Sequence, residues 1–133
     1  RCVFTDPELA QVGLNESEAR AAGHDFQTVK YGIDELDRAI VDGEAQGFVK
    51  VLTTGRSDRI LGVTIVGPQA GEMLAEFVLA MKHDLGLNKI LGTIHTYPTL
   101  SEANRFAAGN WRKANTPRVV HKVLERIHRR RRR

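Results

Sequence analysis

The hydrophobic and polar positions of this chain change period along its length, and each change predicts an element. Two β-rich runs, GFVKVLTT and ILGVTIVG, are separated by the polar turn GRSDR, which predicts an antiparallel hairpin over residues 47–67. After this hairpin the apolar side chains recur every three or four residues. That period predicts a buried helix over residues 70–83.

Shorter patterns predict the elements before the hairpin. The apolar run RCVFT predicts a strand stub that ends at Asp6-Pro7, and FQTVKY predicts a strand over residues 26–31. The capping box NESE, residues 15–18, predicts a short helix that ends near Ala22.

The connecting segments complete the predicted order. Residues 34–43 are too polar for the core and predict a turn or brief helix, and Asn88 is expected to cap a single helical turn. Helices are predicted over residues 99–108 and, beyond Pro117, in VVHKVLERIH. Together the elements predict an α+β fold, with an antiparallel sheet of three to five strands and helices packed on one face.

The candidate chemistry is concentrated in TIHTYPTLSEAN, residues 93–104. Tyr97 precedes Pro98, so its backbone is expected to be extended, and T-x-x-E ending at Glu102 predicts a capping box that opens a helix. In an extended arm, His95 and Tyr97 point the same way, about 7 Å apart. The alternative is that Glu102 only caps the helix, while His95 and Tyr97 are ordinary loop side chains.

Composition narrows the class of protein. With 133 residues, of which 41% are hydrophobic and 27% charged, the chain is long enough for one globular domain with a core. No run is apolar enough to span a membrane, and no signal-peptide pattern opens the chain. The single cysteine, Cys2, excludes an intrachain disulfide and a cysteine-based metal site. We therefore expect a reducing, cytoplasmic compartment and predict no metal site.

The basic character of the chain comes from its end. The last eight residues, RIHRRRRR, contain six arginines, so the net charge of +4 becomes −2 for the rest of the chain. Such a run is typical of a solvated arm. We favour a trailing end without a partner over contact with an anionic membrane surface, and expect no nucleic-acid partner.

The sequence lacks the common motifs for nucleotide binding and for catalysis. The sequence contains no G-x-G-x-x-G, P-loop, H-E-x-x-H or G-x-S-x-G pattern. Nothing in it therefore predicts a nucleotide site or an activated nucleophile.

Three segments, taken in order, resemble a known family: VFTDPELAQVGLNESEA, VKVLTTGRSDRILGVTIVGPQAGEMLAEF and IHTYPTLSEANRFA. Residues 1–114 resemble the C-terminal dimerisation domain of the pyridine nucleotide–disulfide oxidoreductases. These flavoenzymes include dihydrolipoamide dehydrogenase, glutathione reductase and mercuric reductase. Residues 115–133 form a basic tail outside the resemblance.

The resemblance implies a homodimer whose subunits also have N-terminal FAD- and NAD(P)-binding domains and a redox-active cysteine pair. It implies that NAD(P)H reduces FAD, the flavin reduces the cysteine pair, and the pair reduces a substrate. We therefore expect FAD and NAD(P) as cofactors of the full-length enzyme. We expect this segment alone to bind no cofactor tightly and to catalyse nothing. The alternative is a non-catalytic homodimerisation module.

The resemblance also implies roles for the loop. Many members have a histidine before the loop proline as acid–base catalyst at the partner's flavin, oriented by a glutamate five residues later. The matching positions here are Tyr97 and Glu102, so the glutamate is kept and the histidine is not. A phenol of pKa about 10 is a poor base near neutral pH but donates a hydrogen bond.

This departure makes the chain look closer to the mercuric reductase-like group. His95 becomes the candidate for the proton-shuttling role. A cis Tyr97-Pro98 peptide is also implied, with the Tyr97 carbonyl near the flavin, so Tyr97 and Pro98 are the candidate cofactor-facing residues.

Overall fold

The computed structural model describes residues 1–117, so the helix predicted after Pro117 and the arginine-rich end lie outside the described residues. A 3₁₀ turn at Ile33–Glu35 precedes the second helix. In chain order the strands and helices are β1 (Cys2–Val3), β2 (Glu8–Gly13), α1 (Glu16–Ala21), β3 (Phe26–Gly32), α2 (Asp37–Asp42), β4 (Phe48–Thr54), β5 (Ile60–Gly67), α3 (Ala70–Lys82), α4 (Leu87–Gly92) and α5 (Glu102–Asn115).

The five strands form one antiparallel sheet in the order β1-β2-β5-β4-β3, which confirms the predicted α+β fold. The predicted hairpin is β4 and β5, and it supplies two of the three inner strands. Its short turn and β-branched residues made it visible in the sequence. The predicted strand over residues 26–31 is β3, an edge strand that pairs with β4.

Alternation along the strands gives the sheet one apolar face. Val29, Val51 and Val63 lie side by side on this face with no more than 8% of any of them exposed. α3 packs on it over β2 and β5, and α5 packs over β3 and β4. The α3 side chains that are buried in the core are Ala70, Met73, Leu74, Phe77 and Ala80.

The short helix α1 lies on the opposite face of the sheet. Its Glu16 carboxylate accepts hydrogen bonds from the Lys50 ammonium and the Thr28 hydroxyl, both at 3.2 Å. Lys50 alternates with Val49 and Val51 along β4, so it points away from α3 and α5. The two long helices therefore share one face as predicted, and α1 covers part of the other. The capping box that begins α1 is confirmed.

The sequence patterns do not predict β2. The run ELAQVG has a single β-branched residue, and its neighbour β5 lies far along the chain. Pairing with β5 places Ala10 opposite Ile65 in the core. The strand is therefore selected by a long-range contact rather than by local propensity.

Three local predictions are corrected. Leu36 and Ala39 in the polar stretch 34–43 are fully buried, because one turn of helix places both on the inner side of α2. α5 continues to Asn115 rather than 108, since Trp111 on its inner side still packs in the core. Asn88 does not cap α4; its backbone and side-chain N–H groups donate to the Asp58 carboxylate at 3.1 and 2.8 Å.

Candidate functional site

The predicted site lies on the connection between α4 and α5. Residues 93–98, the first part of this connection, are called the 93–98 loop. At its start the Thr93 hydroxyl donates to the Lys89 carbonyl at 2.8 Å, and at its end the Thr99 hydroxyl donates to the Thr96 carbonyl at 2.6 Å. The Tyr97-Pro98 peptide is cis, as the resemblance implies. The loop is thus tied at both ends, with His95 and Tyr97 between the ties.

His95 turns inward against α3. Its Nε2 lies 2.9 and 3.1 Å from the two carboxylate oxygens of Glu76, and its Nδ1 lies 3.0 Å from the Thr93 carbonyl oxygen. Only 6% of the His95 side chain is exposed. Both ring nitrogens therefore face acceptors of the same chain, an arrangement that holds the ring rather than presenting it to a substrate.

Tyr97 turns outward, with 68% of the residue exposed. Its hydroxyl donates to the Asp37 carboxylate at 2.9 Å, at the start of α2. This hydrogen bond, together with the negative charge of Asp37, raises the pKa of the Tyr97 phenol above its usual 10. The phenol therefore stays protonated at neutral pH and acts as a hydrogen-bond donor.

Glu102 is the first residue of α5 and is 6% exposed. Its Oε2 accepts from the Thr99 N–H at 3.1 Å, so only the carboxylate half of the predicted capping box forms. The Thr99 hydroxyl bonds to Thr96 instead, and α5 begins three residues later than predicted. Glu102 thus fixes the backbone directly after Pro98, while the carboxylate at His95 comes from Glu76.

The residues expected to act at one place thus bond to different elements. His95 bonds to α3, Tyr97 bonds to α2, and Glu102 bonds to Thr99 in the connection before α5. Sequence reasoning missed Asp37 and Glu76 because they lie 60 and 19 positions from their partners. Glu76 lies at the edge of the apolar stripe of α3. A charged residue at that position was the one feature of the sequence that could have indicated a polar contact there.

The family model for the pyridine nucleotide-disulphide oxidoreductase dimerisation domain matches residues 1–108. The chain belongs to this family. It is 46% identical over 106 residues to dihydrolipoyl dehydrogenase 2 of Haloarcula marismortui, an alignment that covers 80% of this chain and 22% of that protein. It is 44% identical over 106 residues to the dihydrolipoyl dehydrogenase of Thermus scotoductus, covering 80% and 23% respectively.

Two solved structures share the fold. The HOCl-induced flavoprotein disulfide reductase RclA from Escherichia coli matches with a TM-score of 0.77 and 28% identity, over 82% of this chain and 25% of that one. LpdA from Mycobacterium tuberculosis matches with a TM-score of 0.76 and 29% identity, over 81% and 24%. The dimerisation domain described here therefore corresponds to about a quarter of a subunit in these proteins.

Within residues 1–117, no helix is long and apolar enough to cross a membrane. The same part of the dimerisation domain holds no cluster of three or more His, Cys, Asp or Glu side chains placed to bind a metal ion.

Proposed function

We propose that this dimerisation domain belongs to an FAD-dependent, NAD(P)H-using oxidoreductase that acts as a homodimer, and that the 93–98 loop of one subunit completes the active site of the other. The family match and the flavoprotein relatives support the class of enzyme. The observation that carries the proposal is the exposed Tyr97, which projects from the loop between His95, bonded to Glu76, and Thr99, bonded to Thr96.

The surface around the loop fits self-association. Ile94 is 96% exposed, and Leu79 on α3 is also exposed. The bond from His95 to Glu76 places the loop beside α3, and Leu79 lies one helical turn beyond Glu76. We call Leu79, Ile94 and Tyr97 the loop–α3 surface. Apolar side chains grouped on one surface indicate a protein partner, and a second copy of the subunit is the partner that the family supplies.

The chemistry proposed for Tyr97 is donation of a hydrogen bond. Because the pKa of its phenol is raised by Asp37, Tyr97 does not take a proton from a thiol near neutral pH. It orients a group at the partner's site by turning its one O–H donor from Asp37 to that group, and Glu102 holds the backbone that follows Pro98. Flavin and nicotinamide, when bound by the rest of the enzyme, supply electron transfer from NAD(P)H to the acceptor.

The described residues fit FAD as a neighbour and not as a ligand that they enclose. Tyr97 and Pro98 are exposed at the loop tip, where they are free to face a flavin held by another domain. Residues 1–117 hold no glycine-rich phosphate loop of the kind that binds a dinucleotide. Tight cofactor binding is therefore proposed for the N-terminal domains, and the cytoplasmic location stays a prediction.

The alternative function is a non-catalytic dimerisation module. This alternative is favoured because the polar side chains of the loop already have hydrogen-bond partners within the same chain. Tyr97 is bonded to Asp37, and Glu102 is bonded to Thr99. In this reading the loop side chains only maintain the shape of the loop–α3 surface.

Kinetics of the full-length enzyme separate the two functions. Tyr97→Phe removes the hydroxyl and is expected to lower kcat/KM for NAD(P)H-dependent disulfide reduction about tenfold, while size-exclusion chromatography still shows a dimer. Tyr31→Phe, at the other tyrosine, is buried under Phe106 and serves as the matched control with unchanged kcat/KM. If Tyr97→Phe and Glu102→Gln both leave kcat/KM unchanged and the dimer persists, the non-catalytic module is correct.

A further inference from the structure

A polar cluster joins three elements behind the 93–98 loop. The Glu76 carboxylate on α3 faces His95 Nε2 at 2.9 Å and accepts from Asn104 Nδ2 on α5, also at 2.9 Å. Asn104 Nδ2 donates a second bond to the Met73 carbonyl at 2.9 Å. Both of its partners are acceptors, so the orientation of the buried Asn104 amide is fixed by chemistry.

The cluster is well placed to fix the histidine. A carboxylate has lone pairs for both donors, and charge-assisted hydrogen bonds are stronger than neutral ones. His95 Nδ1 faces the Thr93 carbonyl, so both ring contacts are hydrogen bonds when both nitrogens carry a proton. With both protons present the ring is held from two sides, and with one proton it is held from one; neither nitrogen faces outward.

The loop has little else to hold its centre. Within residues 1–117, no backbone–backbone hydrogen bond involves an N–H between Ile94 and Pro98. Tyr97 contacts Asp37 only through an exposed hydroxyl, a type of contact that contributes little to order. The bond from His95 to Glu76 is thus the main contact that holds the 93–98 loop against the rest of the domain, and it lies two residues before Tyr97.

We propose that Glu76 is a positioning residue, which holds His95 and thereby sets where Tyr97 and Pro98 lie. Asn104 supports it by orienting the carboxylate toward the loop. This inference rests on the proposed function for its catalytic meaning, because Tyr97 is the side chain being placed. That Glu76 positions the loop rests only on the contacts within this domain.

Backbone ¹⁵N relaxation on the 133-residue chain tests the positioning directly. In the unaltered chain we expect order parameters of about 0.8 at Thr96 and Tyr97, falling below about 0.6 in Glu76→Ala. Glu76→Gln is nearly isosteric and retains one acceptor oxygen for two donors, so it should loosen the same residues if the alanine variant folds poorly. Glu72→Ala, at an exposed glutamate one turn earlier on α3, is the matched control and should leave the loop unchanged.

Unchanged order parameters at Thr96 and Tyr97 in Glu76→Gln would overturn the proposal, whatever the enzyme activity. The full-length enzyme then tests its catalytic meaning. Glu76→Gln should lower kcat/KM by no more than the roughly tenfold loss of Tyr97→Phe, with no further loss when the two substitutions are combined. A loosened loop with unchanged kcat/KM would leave Glu76 as the residue that positions the loop and would contradict the proposed function of Tyr97.

Discussion

Val51 and Val63 on the sheet and Phe77 on α3 have no exposed surface, whereas Ile94 and Tyr97 on the 93–98 loop are 96% and 68% exposed. The sheet and its two long helices are held by apolar burial that is complete within one copy of the domain. The loop is held by a few polar contacts to α2, α3 and α5 and leaves its apolar side chains in solvent. We call the sheet with α3 and α5 the scaffold. The core of the scaffold is buried within one copy of the domain, whereas the 93–98 loop exposes its apolar side chains.

The largest effect on the free energy of unfolding should come from a cavity in the core of the scaffold. Phe77→Ala removes a fully buried ring between α3 and the sheet and is expected to lower the free energy of unfolding by about 3–5 kcal/mol. Urea denaturation followed by Trp111 fluorescence measures it. Val41→Ala, at an exposed position on α2, should change the free energy by less than about 0.5 kcal/mol. Equal effects of the two substitutions would remove the distinction between core and surface.

A smaller effect is expected at a polar contact inside the scaffold. Trp111 Nε1 donates to the Thr53 hydroxyl at 3.1 Å, and both residues are buried. Thr53→Val keeps the shape but strands the indole N–H, which should cost about 1–3 kcal/mol of unfolding free energy. The neighbouring Thr54 is the control, because its buried hydroxyl has no partner within residues 1–117. Thr54→Val should be neutral or stabilising, and a loss as large as that of Thr53→Val would contradict this account.

The smallest effect on stability, and the clearest on titration, is expected at the loop. With Tyr31→Phe as background, Tyr97 is the single remaining tyrosine and should titrate above pH 10 by ultraviolet absorbance. Asp37→Asn should bring the pKa of Tyr97 back toward 10. Because the pKa is raised in the folded state, its contribution to stability is fully present below about pH 10 and is lost as the pH rises through the folded value. An unchanged pKa in Asp37→Asn would show that the hydrogen bond to Asp37 does not form.

The scaffold was largely predictable because its signals are local. The β-branched runs of β4 and β5, the capping box of α1 and the 3.6-residue period of α3 each act over a few residues. β2 lacked such a signal, since its strand state depends on β5 at the other end of a long connection. The end of α5 was missed for a related reason, because Trp111 extends the helix by packing against the sheet.

The candidate loop could be found in the sequence, but the contacts of its side chains could not. Tyr97, Pro98 and Glu102 could be found from the loop pattern and the resemblance, since these depend on neighbours in sequence. The partners Asp37 and Glu76 could not, because tertiary packing brings α2 and α3 to the loop. Whether His95 shuttles protons or ties the loop likewise depends on where Glu76 lies.

Subunit mixing in the full-length enzyme tests most directly whether the loop of one subunit serves the site of the other. One subunit carries Tyr97→Ala together with Glu102→Gln, and its partner lacks the redox cysteine pair that the family resemblance implies, so each homodimer alone should be nearly inactive. If the loop acts across the two-fold axis, random mixing restores about a quarter of the wild-type activity, because half of the dimers then hold one complete site. No recovery on mixing, or full activity of the loop variant alone, would contradict the account.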